Sequence, residues 1–435
     1  MNTATGQIKS IPARGIAAKL VLAGIVIGAF AIALCLASWQ IGDMLGELTS
    51  PSEEGAARAA EGAIWFAPQD PRSRWLLAAA LRNDFSPEGQ KTASESLKEA
   101  VRRSPNQPRW WSELARFYEQ SGEYAFAEAA FQRAVALAPE YTLPNWQLGN
   151  FYLRQGRVDD AVGPLQTAAK YSSRYQGQVF AISWGYFGGD ASMVERFAAD
   201  DPVSVSSLAS FYSGVNRPED ALRTWNRLSD EDKERFKTTA TDIARRLFNQ
   251  HRYLTAAEFA RQSGLDKSVR PGAFTNGDFE SGIKEPNTFL FDWIASRTDG
   301  KVEIGSNAAV AHGSKRSLRV LFRGYTKLEF FDIRQTLAVR PGSRQKIEFW
   351  IRTENLRGGS MPLFAVVDAA TERSLGVTQP LPTGTNDWQM ISMTVDVPEN
   401  SEGIRVMSVR EPCPTECPLT GLFWVDDFRA EELKP

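Results

Sequence analysis

The sequence predicts a multidomain chain of three unlike parts in series: a single N-terminal membrane-spanning helix, an all-α superhelix of repeats, and an all-β sandwich. Three observations predict it. Leu20 to Trp39 holds no charged side chain, a period of 34 residues runs through the middle of the chain, and beyond Val269-Arg270-Pro271-Gly272 the residues change to alternating Val, Ile, Phe, Thr and Gly. With 435 residues, 43% hydrophobic and 23% charged, the composition is that of ordinary folded protein and leaves room for two or three domains. Net charge is −2, from 50 Lys+Arg against 52 Asp+Glu, so no global excess of cations exists to displace counterions and nucleic acid is not expected as a partner. Two histidines and three cysteines remove most catalytic triads and transition-metal sites in advance.

Residues 20–39 form the predicted transmembrane helix, since about 20 residues at about 1.5 Å each reach the roughly 30 Å of a bilayer's hydrocarbon core. Lys9, Arg14 and Lys19 precede it without an acidic residue, while Asp43, Glu47, Glu53 and Glu54 follow before Arg58. The positive-inside rule then makes residues 1–19 a cytoplasmic stub and places the bulk of the chain in the periplasm, behind a single-pass anchor in the inner (cytoplasmic) membrane. Trp39 stands where an interfacial aromatic is expected. Small residues at Ala37 and Ser38 also allow a cleaved signal peptide, but signal cores run about 7–15 residues and this one is longer. Cys35 reads as an apolar filler of the helix. Residues 40–52 read as a linker.

Pro105 and Pro139 are 34 residues apart. Before them run Ala93, Leu97, Ala100 and then Ala127, Phe131, Ala134, and the set Ala161, Leu165, Ala168 continues the period. Spacings of four and three put each set on one helical face, so each helix can pack closely on its predecessor. Trp111, Leu114, Ala115, Tyr118, Gly122 and Tyr124 lead into Ala127, and Leu148, Gly149, Tyr152 and Gly156 hold the same register in the next unit. This pattern resembles the tetratricopeptide repeat, and residues 108–141 match it at nearly every position. Weaker units around it extend the array over residues 53–266.

Repeats of this kind stack into a superhelix with a concave surface. The resemblance implies a protein-binding groove lined by outward positions of the first helix in each pair: Arg109, Ser112, Arg116 and Glu119, then Leu143, Trp146, Asn150, Leu153 and Arg154. Trp146 lies one residue past the slot held by Trp111 in the preceding unit. It either faces the groove or fills a gap between units. Trp146 and Arg116 stand at two of the slots where some family members keep the Lys and Asn that clamp a peptide carboxylate, which argues against a ligand of that kind.

After a linker at 267–272, residues 273–432 read as a two-sheet antiparallel sandwich. Strands are expected at Ser317–Phe322, Phe331–Val339, Gln345–Thr353, Met361–Asp368, Trp388–Val397, Ile404–Arg410 and Gly421–Arg429. Asn276-Gly277-Asp278-Phe279-Glu280-Ser281-Gly282, Trp293, the run Gly313 to Val320, Gln335 with Val339-Arg340-Pro341-Gly342, and Trp424-Val425-Asp426-Asp427-Phe428 follow in order. In that order they resemble the jelly-roll carbohydrate-binding modules of the galactose-binding-like superfamily. The resemblance implies a structural Ca²⁺ held by Asp278, Glu280 and Asp427 (or Asp426), although such acids also cap turns; no cofactor is required.

Sugar binding needs an aromatic face for a pyranose, and Tyr325, Phe330, Phe331, Trp350 and Trp388 are the candidates, with Asp332, Glu348 and Arg352 close by. Trp350 alternates out of phase with Phe349 and Ile351, so it faces a ligand or a second packed layer, whereas Trp293 and Trp424 are assigned to the core. Cys413 and Cys417 enclose Pro-Thr-Glu, and outside the cytoplasm such a pair is expected to form a disulfide pinning that loop. His251 and His312 are expected at the surface.

No Walker-type glycine loop, His-Glu-x-x-His motif or Gly-x-Ser-x-Gly elbow occurs, so the chain reads as a non-enzyme. The expected function is an anchored adaptor that docks a partner protein in the groove and contacts polysaccharide or a second protein through the sandwich, in cell-surface polysaccharide assembly or export. The alternatives are a structural envelope adaptor that binds no sugar and, behind it, a carbohydrate-active enzyme.

Overall fold

The computed structural model describes residues 15–82, 84, 86–170, 172–283, 290–295, 300–325, 333–411 and 417–434. They fall into two compact units divided after Val179. The first begins with α1, Ile16–Leu48, the one helix among the described residues long and apolar enough to cross a membrane. Helix α1 outruns the expected span, and residues 40–48, read as linker, are its last turns. Gly42 and Gly46 are buried there: a Cβ on Gly42 would stand 2.4 Å from that of Ala67, and one on Gly46 3.2 Å from the Ser73 hydroxyl. The missing side chains let α2 (Ala56–Phe66) and α3 (Pro71–Ala80) lie against α1.

The array continues through α4 (Pro87–Arg103), α5 (Pro108–Gln120), α6 (Tyr124–Leu137), α7 (Thr142–Arg154), α8 (Val158–Lys170) and α9 (Ser173–Tyr186). Local chemistry sets the starts. Asp70 accepts from the N–H groups of Arg72 at 3.1 Å and Ser73 at 2.9 Å to cap α3, Ser86 accepts from Gly89 at 3.0 Å to cap α4, and Pro71, Pro87 and Pro108 each occupy a first helical position. The three apolar triads of the 34-residue period are all buried. Gly149 makes the α7–α8 seam possible, because a Cβ there would meet Leu165 Cγ at 2.5 Å.

The second unit holds the helices α10 (Ala191–Glu195), α11 (Pro202–Gly214), α12 (Pro218–Trp225), α13 (Asp230–Arg235), α14 (Lys237–Asn249) and α15 (Tyr253–Gln262). Ten strands follow: β1 (Ile294–Ala295), β2 (Val302–Asn307), β3 (Ser317–Tyr325), β4 (Ile333–Ala338), β5 (Arg344–Gly358), β6 (Pro362–Asp368), β7 (Ser374–Val377), β8 (Gly384–Asp396), β9 (Gly403–Arg410) and β10 (Leu419–Leu433). They form two five-stranded antiparallel sheets, ordered β1-β4-β9-β6-β7 and β2-β3-β10-β5-β8, the layered arrangement of a jelly roll. Aromatic rings fill the core between them, with Phe349 stacked on Phe428 at 4.5 Å and Trp293 against Phe428 at 4.7 Å.

Helix α15 packs directly on this sandwich. The Tyr253 hydroxyl donates to the Ala369 carbonyl at 2.9 Å, the Leu254 N–H donates to Glu402 at 3.2 Å, and the Tyr253 ring lies so close to Gly403 that a Cβ there would stand 2.4 Å from it. One hydrophobic cluster joins Ala256, Ala257 and Phe259 of α15 to Phe291, Ala338 and Ala369 of the β region. Residues 267–272, expected as a linker, therefore run beside a shared core. Strands β1, β2 and β7 were not expected: β1 and β7 are very short, and β2 carries Gly305, Ser306 and Asn307 in place of an apolar alternation.

Candidate functional site

Six of the nine expected groove residues, Arg116, Glu119, Leu143, Trp146, Asn150 and Arg154, line one cavity of about 800 Å³ between successive units of the array. Glu119 and Arg154 join α5 to α7 in a two-pronged ion pair, with Nε to Oε1 at 2.7 Å and Nη2 to Oε2 at 2.9 Å. Asn150 turns inward, its amide donating to the Trp146 carbonyl at 2.7 Å. Leu143 is 49% exposed, and the Arg116 guanidinium makes only long contacts of 3.4 Å with Glu113. The wall thus offers an apolar strip beside a cation, which suits a partner segment of mixed apolar and acidic character.

The other three groove residues lie elsewhere. Arg109 is drawn off by cation–π contact, its guanidinium 4.7 Å from the Trp75 ring and 5.0 Å from Trp110. Ser112 is 3% exposed, a side chain too short to leave the helix seam, and its hydroxyl has no hydrogen-bond partner. Leu153 is 3% exposed because it lies about 100° round the helix from Arg154, facing the neighbouring helices.

Trp146 reaches the cavity because Asn145 takes its place in the packing. The Trp111 indole N–H donates to the Pro105 carbonyl at 2.8 Å, and 34 residues on Asn145 donates to the Pro139 carbonyl at 2.8 Å and also to Tyr141 at 2.9 Å. Trp146 then meets Tyr175 of α9 edge-on at 5.1 Å while still lining the cavity, so both readings of its position hold in part. Trp110, passed over in the sequence, is the more buried of the Trp110-Trp111 pair and belongs to the core cluster.

On the sandwich, Phe349 and Ile351 enter the core and Trp350 faces the other way. Its ring carries His312 in a stack with centroids 3.9 Å apart and planes 18° apart, and Trp388 meets the same imidazole edge-on at 5.5 Å. Two consecutive carboxylates hold His312. Its backbone N–H donates to Asp426 Oδ2 at 2.8 Å, and its ring Nδ1 lies 2.7 Å from Asp427 Oδ2. A carboxylate accepts, so Nδ1 donates and the bond fixes the orientation of the ring. Asp427 reaches the ring from a left-handed position, φ 53°, at an irregularity in the β10–β5 register. Asp426 is fully buried, and that burial pushes its pKa up to about 6 against the opposing hydrogen bonds from His312 and Asp427.

This placement corrects the surface assignment of His312, a half-buried member of an aromatic assembly. Trp424 is buried as expected, yet it alternates with core residues Phe423 and Val425 and so lies on the opposite face, with the Arg352 guanidinium 5.7 Å from its ring. Glu348 pairs with Lys346 at 2.7 Å, which lowers its pKa, and Arg352 stands 3.8 Å from Asp387. Met390, unmarked in the sequence, is paired in register with Trp350 and is 52% exposed. Phe330, Phe331, Asp332 and Cys413 lie outside the described residues, as does the side chain of Tyr325.

The expected calcium ligands do not converge. Asp278 accepts from the Glu280 N–H at 3.3 Å, Glu280 accepts from the Lys315 N–H at 2.8 Å, and Asp427 is committed to His312. Among the described residues no group of three or more His, Cys, Asp or Glu side chains could hold a metal ion, so these acids do not fit a Ca²⁺ that needs six or more oxygens. They serve turns and loops. Cys417 is buried, its carbonyl accepting from Arg410 at 2.8 Å, and Cys35 is a free thiol.

Fold and surfaces together define a helical-repeat scaffold joined to a two-sheet antiparallel β-sandwich. Residues 108–141 match the family model of the tetratricopeptide repeat. Among solved structures the chain is similar to the crystal structure of MamA, with 19% identity and a TM-score of 0.26 over 42% of this chain and 90% of that one. It is similar to a CBM4 structure with 13% identity and a TM-score of 0.28 over 37% of this chain and 99% of the other. It is also similar to TmCBM61 in complex with beta-1,4-galactotriose, with 17% identity and a TM-score of 0.26 over 38% and 100%. No curated protein matches the chain.

Proposed function

We propose that this chain is a membrane-anchored adaptor on the periplasmic side of the inner membrane, where it docks a partner protein in the α5–α7 cavity and contacts glycan through the outer face of the β2-β3-β10-β5-β8 sheet. Its setting is cell-surface polysaccharide assembly or export. The observation that carries the glycan half is the His312–Trp350–Trp388 assembly, which combines ring faces for a pyranose with a fixed imidazole nitrogen for a hydroxyl. Tyr325, Phe330 and Phe331 extend the same proposal. The chain acts without catalysis and without a cofactor, so EDTA leaves its melting temperature unchanged. Cys413 and Cys417 form the disulfide that fixes the loop before β10, which peptide mapping under non-reducing conditions checks.

The test is retention on immobilised cell-surface polysaccharide by affinity electrophoresis. Trp388→Ala is expected to weaken retention about tenfold, equivalent to about 1.4 kcal/mol of stacking, with the fold intact. Unchanged retention in Trp350→Ala and Trp388→Ala together ends the glycan half. One observation favours the second reading, an adaptor that binds no sugar: His312 already covers one face of Trp350. Partner capture by Trp146→Ala tests the groove separately.

A further inference from the structure

Trp65, at the end of α2, is 76% exposed, more than any other large apolar residue outside α1 among the described residues. Its height along α1 is fixed by the packing below it. The Ser38 hydroxyl donates to the Phe66 carbonyl at 2.9 Å, Gly42 touches Ala63 and Ala67, and Gly46 lies beside Asp70 and Ser73. Arg72 then faces Asp43 at 3.8 Å and Glu47 at 3.3 Å. These contacts run α2 antiparallel to the end of α1, so the turn after Phe66 stands level with Ser38, at the end of the apolar stretch. Trp39 is 50% exposed at that same level. At about 1.5 Å rise per residue, Trp65 and Trp39 lie within about one helical turn, roughly 5 Å, of the same height.

We propose that Trp65 seats in the headgroup region of the bilayer that α1 crosses, beside Trp39, giving the repeat array a second contact with lipid. The inference rests on α1 spanning the membrane. An indole suits that occupant, because its ring is apolar and its N–H needs a wet partner, the combination that enriches tryptophan at membrane interfaces. The exposed edge of the Trp65–Phe66 pair, whose rings meet at 4.7 Å and 85°, presents such a surface at the depth where the interface begins.

The full chain in phosphatidylcholine–phosphatidylglycerol nanodiscs tests this with a fluorescent amino acid encoded singly at position 65, 39 or 54, and with lipids carrying a nitroxide in the headgroup or deep in the acyl chain. Glu54 is exposed in the loop above α1 and serves as the aqueous reference. Headgroup nitroxide is expected to quench positions 65 and 39 alike, at least about threefold more than position 54, with the deep nitroxide weak at both. Position 65 behaving as position 54 while position 39 is quenched overturns the proposal and leaves α1 spanning. Loss of quenching at position 39 as well shows that α1 does not span, and the proposal falls with it. Because Trp65 is exposed, its replacement leaves the helix packing intact, which an unchanged circular dichroism melt verifies.

Discussion

Asn145 shows how a single substitution in a repeat redirects its neighbour. By donating to the Pro139 carbonyl as Trp111 donates to Pro105, it closes the turn without a ring, and the ring moves on to position 146. Asn145→Ala removes two hydrogen bonds made by a buried amide, each worth about 0.5–1.5 kcal/mol, so thermal unfolding should show a loss of about 1–3 kcal/mol. Asp426 gives a pH signature. Burial raises its folded pKa to about 6 from the ordinary 3.8, so the folded state holds the extra proton between those values and the group's contribution to stability falls as pH rises from about 4 to 6. Asp426→Asn should flatten that part of the stability–pH curve, measured by melting from pH 4 to 7. The aromatic type of the sandwich site was legible in Trp350 and Trp388, but its partner was not. His312 reaches Trp350 through two carboxylates on a strand more than a hundred residues later, and no local pattern announces such a contact.

At the level of elements, spacing carried most of the helical fold. Triads at intervals of four and three identified the packing faces of α4, α6 and α8, since a residue on the wrong side of a helix would expose apolar surface. Gly149 belongs to that pattern, and Gly149→Ala should push α7 from α8 at a cost of about 1–3 kcal/mol, seen as a lowered melting temperature. The end of α1 escaped notice for the opposite reason. Asp43 and Glu47 made residues 40–48 look like solvated linker, whereas Gly42 and Gly46 on the same helix supply the contact face. Among the strands, alternation revealed the long central ones, while β1, β2 and β7 are held by their neighbours' hydrogen bonds more than by their own side chains.

At the scale of the molecule, the boundary that the change of residue type suggested near 267–272 is no boundary in packing, because α15 shares its core with the sandwich. A fragment of residues 180–435 should therefore unfold in one calorimetric transition, and a fragment beginning at residue 267 should melt more than about 5 °C lower, having lost the Tyr253 and Leu254 contacts. The other end of the chain carries a different consequence. Helix α1 passes into the array without a hinge, 33 residues long and about 50 Å, with its upper turns clasped by α2 and α3. Were it placed across a bilayer, a membrane thinner than its apolar stretch would tilt the helix like an axle, and the clasp would hand that tilt to the first repeats. The direction in which the groove of this unit faces would then follow bilayer thickness.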